Sequence, residues 1–370
     1  MKKTSILLII LLLICSLNVY AESVEDSNMT METAIVLDAS DMIEAEEYDG
    51  QYQNVKLKIT SGKYKNEIVD TENQLSSNFA FNIIVKEGDK VVVSIEEIED
   101  GDINVFITDY MRQHYIFYLT IIFILLILLI GRKKGLKSVI TLTITVLAIL
   151  KILLPMMLKG ANPIPITIII SIGITVLTIF VVGGINSKSI SAILGTSAGV
   201  LIAGLIAYFV GSKIKLTGLS SDEAMMLAYI PQEVNFDFRS LLFSGIILGS
   251  LGAVMDVGMS ISSAIEEIYN ANPDITRKDL FDSGMNVGKD IMGTMTNTLI
   301  LAYTGSTIPM LLLFMAYETS MVKIINLDII ATEVIRSLAG SIGLVLTIPL
   351  TAFIASVLIN KNKTAVIDKD

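Results

Sequence analysis

The sequence predicts a mainly α-helical membrane protein, in which a bundle of about seven transmembrane helices follows a small exported β-barrel-like domain of OB or SH3-like type. Hydrophobic residues make up 52% of the chain, the mean hydropathy is +0.67, and several apolar runs exceed the roughly 20 residues that span a bilayer. Residues 22–112 hold 21 acidic and 7 basic residues, a net charge of −14, whereas the whole chain carries −10. We therefore expect an acidic soluble segment attached to a mildly basic membrane domain, and no nucleic-acid-binding surface.

Residues 1–21 fit a secretory signal peptide. Two lysines precede the apolar run 6–17, and the small Ala21 precedes an expected mature start at Glu22. An uncleaved first anchor is the alternative, because Tyr20 is large and the apolar run could extend. Either arrangement places the following residues outside the cytoplasm. The single cysteine, Cys15, lies in this segment without the small preceding residue of a lipoprotein signal, so we expect neither a lipid anchor nor a disulfide.

The acidic segment divides into a lead-in over residues 22–53 and a β domain over residues 54–112. Residues 22–50 carry ten acidic residues and no basic one, which indicates a solvated stretch. Alternating apolar residues and turn signals then predict about five short strands. We find no nucleophile with a base and no metal-binding cluster among them. The domain is therefore expected to be a scaffold or a module that binds an envelope protein partner, with a folded spacer as the alternative.

The transmembrane domain is expected over residues 113–360. Seven apolar segments of membrane-spanning length follow one another in this region. The expected spans are 115–130, 138–158, 164–182, 190–210, 241–260, 291–317 and 332–359.

Basic residues predict the orientation of the spans in the cell membrane. They cluster after the first, third, fifth and seventh spans, as at Arg132, Lys188, Arg277 and Lys361. Because cytoplasmic loops are enriched in Lys and Arg, these loops are expected to be cytoplasmic. The multi-pass chain is then predicted to hold residues 22–112 outside the cytoplasm and a tail, 361–370, inside it.

Asp256 is a carboxylate deep within the fifth predicted span. It lies four residues from the span's midpoint near Gly252, about 6 Å at the rise of an α-helix. At 100° per residue it shares one narrow face with Gly245, Gly249, Gly252 and Ser260, which predicts a helix-packing seam of small residues. An ionisable group at this depth is costly and marks a functional site.

Polar residues of the sixth span lie at a similar depth. Thr294, Asn297 and Thr298 are expected to face Asp256 and to hydrogen-bond with it. Asp256 is then a candidate to load and release a proton or to bind a monovalent cation. The alternative is a permanently neutral packing residue held by Asn297, because membrane helices use polar side chains as adhesive.

Enzymatic motifs are missing from the sequence. Residues 284–290, GMNVGKD, resemble a phosphate loop only superficially, because the spacing is wrong and no strand precedes them. Asp256 and Asp290 differ too much in depth for an intramembrane aspartyl protease. We therefore expect no enzyme, no catalytic residues, no metal, no cofactor and no nucleotide.

Four segments resemble the YibE/F family of bacterial multispan membrane proteins. They are MDVGMSISSAIEEI, DSGMNVGKDIMGTMTNTLILAYTGS, TDYMRQ and RKKGLKS. The resemblance extends over residues 54–360. It implies a multispan membrane protein and no particular activity.

The arrangement around Asp256 is also similar to that of proton-coupled permeases of the RND and SecD/SecF type. In those proteins the acid-bearing helix is the third after the exported domain, whereas here it is the fifth, so the likeness is one of architecture. We expect a permease-like transporter in the lipid bilayer, with proton or cation coupling at Asp256 and an unknown substrate. The alternative is a non-transporting envelope assembly or sensing protein whose exported domain binds a partner.

Overall fold

The computed structural model describes residues 29–44, 50–76, 82–98, 102–230, 236–318 and 320–360. The predicted signal peptide and the predicted tail lie outside these ranges. The chain forms two compact units, which meet in sequence between Leu126 and Ile127.

Strands of the first unit form one antiparallel sheet. The described strands are β1 (Met29–Ala39), β2 (Ile43–Glu44), β3 (Gly50–Ile59), β4 (Ile68–Ser76), β5 (Lys90–Glu97) and β6 (Ile103–Tyr110). Their order is β2-β3-β1-β5-β6, and β4 pairs with the other edge of β3. Side chains alternate along the strands, so one face supplies the apolar core and the other carries the acidic residues.

β1 is the central strand, and this finding corrects the sequence-based boundary. The prediction of an acidic lead-in over residues 22–53 is wrong from residue 29 onward, because β1, β2 and the start of β3 lie in it. β1 pairs with β3 on one side and with β5 on the other, and it places Ala34 and Val36 in the core at 0% and 1% exposure. The ten acidic residues of 22–50 hide this alternation in the composition of the segment.

The sheet curves into a partly open barrel. Its two edge strands, β4 and β6, are joined where the Thr71 hydroxyl donates to the Val105 carbonyl oxygen at 2.6 Å. Five long strands closed in the order β4-β3-β1-β5-β6 have the architecture of an OB-type barrel. The predicted small β-barrel-like domain is confirmed as a β domain with its own core.

A buried polar network fastens the segment after β4 to the barrel. Gln53 Nε2 donates to the carbonyl oxygens of Ser40 and Val85 at 3.0 and 3.1 Å, and the Val85 amide donates back to Gln53 Oε1 at 3.0 Å. Asn73 Nδ2 donates to the Ile83 carbonyl oxygen at 2.7 Å. Because both amide side chains are almost fully buried, their pairing offsets a desolvation cost that an unpaired amide would retain.

The second unit is helical. The first helix crosses the boundary between the units, and a π-helical turn, Ile149–Leu153, separates it from the second. The described helices are α1 (Gln113–Ala148), α2 (Leu154–Leu158), α3 (Pro163–Gly183), α4 (Ser187–Lys213), α5 (Asp222–Leu227), α6 (Phe238–Ala271), α7 (Arg277–Ser306), α8 (Ile308–Ala316), α9 (Met321–Ile325) and α10 (Asp328–Asn360). Asn, Ser, Thr or Asp side chains cap the starts of α3 to α7 by accepting from the first-turn amides.

A break at Arg132 divides the first long helical stretch. Arg132 has φ 48° and ψ −121°, and a Cβ on Gly135 would lie 2.1 Å from the Ile127 carbonyl oxygen. These two residues would be about 12 Å apart along an unbroken helix, so the chain turns back at this point. The predicted separation between spans 115–130 and 138–158 is therefore correct.

Membrane-spanning helices can be counted by length and composition among the described residues. Five stretches qualify, and the bent pair α7 and α8 raises the number to six. One of the five is Gln113–Leu158, whose 46 residues would measure about 70 Å, more than twice the hydrocarbon thickness. The break at Arg132 divides this stretch into two spans. With the other four stretches and the bent pair of α7 and α8, they make the seven spans that the sequence predicts. The chain is a multi-pass membrane protein.

The sixth predicted span is not one continuous helix. α7 and α8 meet at 59° near Thr307, where Pro309 lies in the first turn of α8. α7 begins at Arg277, well before the predicted start at residue 291. Proline cannot donate the backbone hydrogen bond that would continue α7, and its ring favours the start of a new helix.

α4 and α10 form the closest helix contact of the bundle. A Cβ on Gly195 would lie 1.9 Å from Thr351 Oγ1, and one on Gly199 would lie 1.7 Å from Thr347 Oγ1. A Cβ on Gly343 would meet Ala203 and the Gly199 carbonyl oxygen at 2.7 Å. The two helices can approach this closely because only glycine leaves room for the facing threonines.

The structure predicts which fragment of the exported domain folds. A fragment of residues 29–112 should be soluble and β-rich, because it contains β1 and the whole core. A fragment of residues 54–112 should be disordered, because β3 and β5 lose their shared neighbour. Far-ultraviolet circular dichroism and amide dispersion in NMR spectra would distinguish the two. Equal folding of both fragments would show that β1 is dispensable.

The α4–α10 contact predicts an asymmetry between glycines. Gly199→Leu should destabilise the protein by about 1–3 kcal/mol or more, because overpacking forces the backbones apart. Gly173→Leu is the matched control, since no described atom lies within 4 Å of a Cβ at that position. Thermal unfolding in detergent should show a lower transition for Gly199→Leu only. A similar transition for both variants would contradict the contact.

Candidate functional site

Asp256 lies on the open face of α6. The side of α6 that packs in the bundle carries Ile247, Val254, Ile261 and their neighbours, all almost fully buried. Asp256 is exposed. None of the described residues forms a hydrogen bond or an ion pair with it. A carboxylate in the hydrocarbon region requires water, a cation or a proton, since lipid supplies none of the polar contacts it needs.

The predicted small-residue seam packs against a neighbouring helix only at Gly249. A Cβ at Gly249 would lie 2.5 Å from the Tyr303 hydroxyl, whereas no described atom lies within 4 Å of one at Gly245 or Gly252. Ser260 is exposed as well. The packing seam runs on the other side of α6, where a Cβ at Gly258 would meet Thr196 Oγ1 at 2.6 Å.

α6 and α7 are aligned as the sequence-based depths predict, but their polar groups are not joined. Gly249 of α6 contacts Tyr303 of α7, and Ile261 of α6 contacts Gly288 of α7. Asp256 lies between these two contacts on α6, so it is level with residues 293–297 of α7. Thr294 and Thr298 direct their hydroxyls to backbone carbonyl oxygens of α7 itself. Asn297 is exposed, and no hydrogen bond links it to Asp256 in the described structure.

A cavity of about 280 Å³ lies beside the turn of α6 that carries Asp256. Gly252 and Met255 form part of its wall, and Asp256 follows Gly252 by one helical turn on the same face. Hydroxyl groups line the opposite wall. They belong to Ser138, Thr141 and Thr145 of α1 and to Thr178 of α3.

The cavity contains unused hydrogen-bonding capacity. Thr178 Oγ1 is buried and has no partner among the described residues. A buried hydroxyl without a partner costs free energy unless water or a ligand satisfies it. The cavity itself has a mostly apolar wall, in which the Ser and Thr side chains of α1 lie opposite the glycine face of α6.

The sequence reasoning missed a second charged group in the membrane domain. Arg336 Nη1 donates to Glu333 Oε1, both within α10, and the guanidinium lies over the Tyr303 ring at 5.9 Å from its centroid. The stretch TEVIRSLAG places these two ionisable residues three apart, near the start of the predicted span 332–359. They lie about 19 and 14 Å from the midpoint of that span, so the depth that singled out Asp256 did not single them out.

A further ion pair joins two helix ends. Lys188 Nζ at the start of α4 lies 2.6 Å from Glu266 Oε2 near the end of α6, with side-chain exposures of 19% and 24%. Its partial burial distinguishes it from the exposed pairs of the β domain, which contribute little. Among the described residues, no group of three or more His, Cys, Asp or Glu side chains could hold a metal ion.

Two family models match the chain. The model described as YibE/F-like protein matches residues 119–361, more than half of the chain, and the model described as YibE/F family N-terminal domain matches residues 33–110. The second match begins within β1, in agreement with the strand's place in the domain. Comparisons with curated proteins and with solved structures give no match. The chain belongs to the YibE/F family of membrane proteins.

Proposed function

We propose that the chain is a permease-like transporter in which Asp256 binds and releases a proton or a monovalent cation. The observation that carries the proposal is a carboxylate inside a membrane span with no described partner, one helical turn from the wall of a cavity that also contains Ser and Thr side chains. A purely adhesive role would require a bond to Asn297 or another neighbour. A bound ion or proton accounts for the missing contact.

Two interrupted helices in the bundle support a transport role. α7 is broken near Thr307, and a π-helical turn, Ile149–Leu153, interrupts the helix that lines the cavity. Unwound or π-helical segments leave backbone groups available and mark functional positions in membrane helices. The π-helical turn contributes Ile149 to the cavity wall.

The proposal extends to location and partners. We place the chain in the bacterial cell membrane, with the β domain outside the cytoplasm, a lipid bilayer around the helices and no enzymatic activity. The alternative, a non-transporting assembly or sensing protein, assigns the main role to a partner of the acidic β domain. Tyr269 near the end of α6, Ile275 of the connection and Leu280 near the start of α7 pack onto the bundle's own core, which favours a structural role for the connection between α6 and α7.

Replacement of Asp256 tests the proposal. The protein would be reconstituted in proteoliposomes on a solid-supported membrane, and transient currents recorded after a pH jump or a sodium jump. The wild-type protein should give a current for one of the two ions, and Asp256→Asn should abolish it, because the amide cannot change its charge. Asp282→Asn is the matched control, since Asp282 is an exposed carboxylate near the start of α7, about 18 Å along that helix from the level of Asp256.

The outcomes separate the two functions. A full current in Asp256→Asn, at a normal level of folded protein, would refute ion coupling at this residue. No current in the wild-type protein for either ion would favour the assembly or sensing alternative.

Hydration of the cavity is a second testable consequence. Thr145→Cys, in a Cys15→Ser background, should react rapidly with a charged water-soluble thiosulfonate reagent in membranes. Val146→Cys should react slowly, because this neighbouring residue is exposed on the outside of the helix and does not line the cavity. Mass spectrometry of the intact protein measures both reactions. Equal and slow labelling would mean that the cavity is dry.

A further inference from the structure

The basic turn, residues 131–137, joins the first two spans and carries four cations. They are Arg132, Lys133, Lys134 and Lys137. All four are exposed, and none of the ion pairs formed among the described residues includes them. The nearest acidic residues in the sequence are Asp109 and Asp222, so no acid in this part of the chain neutralises the turn.

Helical periodicity gathers three of the cations on one side of the turn. At about 100° per residue, Lys133, Lys134 and Lys137 lie within a sector of about 100° after the break in α1. Gly135 points away from this sector, is buried, and lies against the Ile127 carbonyl oxygen. The turn therefore packs on its own helix with one side and leaves a charged side open.

Arg132 has a backbone conformation that normally belongs to glycine. Its φ of 48° and ψ of −121° lie outside the regions that L-residues favour, and such strain persists only where something offsets it. Gly131 precedes it without a positive φ, and no described atom lies within 4 Å of a Cβ at that position. The glycine could thus hold the strained position and the arginine the relaxed one, with the same net charge.

Orientation of the spans does not explain this placement. The excess of Lys and Arg that orients a membrane protein is counted over whole loops, so an arginine at position 131 would have the same effect. The strained position therefore indicates that the guanidinium is needed at one place. A guanidinium binds phosphate oxygens through paired N–H donors, and the neighbouring ammonium groups favour a negative ligand.

The bilayer supplies a phosphate at this level. The basic turn lies directly between the predicted spans 115–130 and 138–158, so its side chains are level with the lipid headgroups. Clusters of four or more Lys and Arg residues beside a span are typical of anionic-lipid binding. Because lipids are confined to the membrane, their effective concentration at the turn exceeds that of a free phosphate ion.

We propose that the basic turn is a binding site for an anionic phospholipid. The Arg132 guanidinium donates to the phosphate oxygens, and the three lysines surround the headgroup. The phosphate contact offsets the strain at Arg132, so the bound lipid stabilises the sharp turn between the two spans. The site does not depend on ion coupling at Asp256, and a transporter or an assembly protein would use it in the same way.

Native mass spectrometry of the full-length protein in detergent tests the proposal. The protein would be titrated with dioctanoyl phosphatidylglycerol, which is anionic, and with dioctanoyl phosphatidylcholine, which has no net charge. Phosphatidylglycerol should bind at least about fivefold more tightly. Arg132→Gly should weaken that binding about fivefold, because each basic residue near an anionic surface contributes about this factor. Equal binding of the two lipids, or unchanged binding by Arg132→Gly, would overturn the proposal.

Lys215→Gly is the matched control. Lys215 is also an exposed basic residue with a positive φ, 59°, and only Lys213 accompanies it in the sequence nearby. Its replacement removes one charge and one strained position, as Arg132→Gly does. The affinity for phosphatidylglycerol should stay at the wild-type value. An equal loss of affinity in both variants would show that only the overall charge matters, and the proposal would fail.

A charge-neutral exchange guards against an effect of Arg132→Gly on membrane insertion. The double variant Gly131→Arg, Arg132→Gly keeps the net charge and the composition of the turn. Without added lipid it should unfold at or above the wild-type temperature, because glycine now holds the strained position. It should nevertheless bind phosphatidylglycerol about fivefold more weakly. Wild-type affinity in this variant would overturn the role of Arg132, and displacement of the lipid by an equal concentration of inorganic phosphate would assign the turn to a free anion.

Discussion

The close contact between α4 and α10 is the constraint on which the membrane unit depends. Lipid tails are as apolar as leucine side chains, so helices gain little from apolar burial in a bilayer and associate through fitted contacts. Gly195 and Gly199 allow Thr351 and Thr347 to reach the backbone of α4, and Gly343 allows the two backbones to approach. α6 packs beside this pair through Gly258 and Ser250, which fixes the face of α6 that is buried.

The fixed face of α6 determines what its other face can do. Asp256 lies opposite the packed side, next to a cavity rather than a helix. Other polar groups in the spans have hydrogen-bond partners. The Thr347 hydroxyl, for example, donates to the Gly343 carbonyl oxygen at 2.8 Å. Glu333 and Arg336 are paired with one another. Asp256 differs from these groups because the described residues leave its carboxylate without a partner.

The two charged positions have different chemical characters. Glu333 and Arg336 form a neutral pair. Asp256 is a single acid, and its environment changes by one charge when it binds a proton or a cation.

Much of the fold could be predicted from the sequence. Apolar runs of membrane length indicate seven spans, and the basic residues around Arg132 mark the turn between the first two. Glycines four residues apart predict a close helix contact and do not identify the partner helix. β1 was missed because the ten acidic residues of 22–50 dominate the composition of that segment, while only two side chains of β1 are fully buried.

The candidate site was only partly predictable. The depth of Asp256 follows from counting residues, since helical rise is constant, and contacts of α6 with α7 agree with that depth. The neighbours of Asp256 cannot be predicted from the sequence, because both faces of α6 carry small residues and helical periodicity does not show which face packs. The cavity arises from α1, α3 and α6 together, and hydroxyl groups on two separate helices give no local signal.

The central claim is that Asp256 exchanges an ion with water from within the membrane. Infrared difference spectroscopy of the protein in nanodiscs, recorded between buffers of different pH, reports directly on the carboxyl groups that gain or lose a proton. The account predicts a reversible carboxyl band in the wild-type protein that is absent in Asp256→Asn, or a band that sodium suppresses if the cation competes for the site. A carboxyl group at Asp256 that responds neither to pH nor to sodium would contradict it.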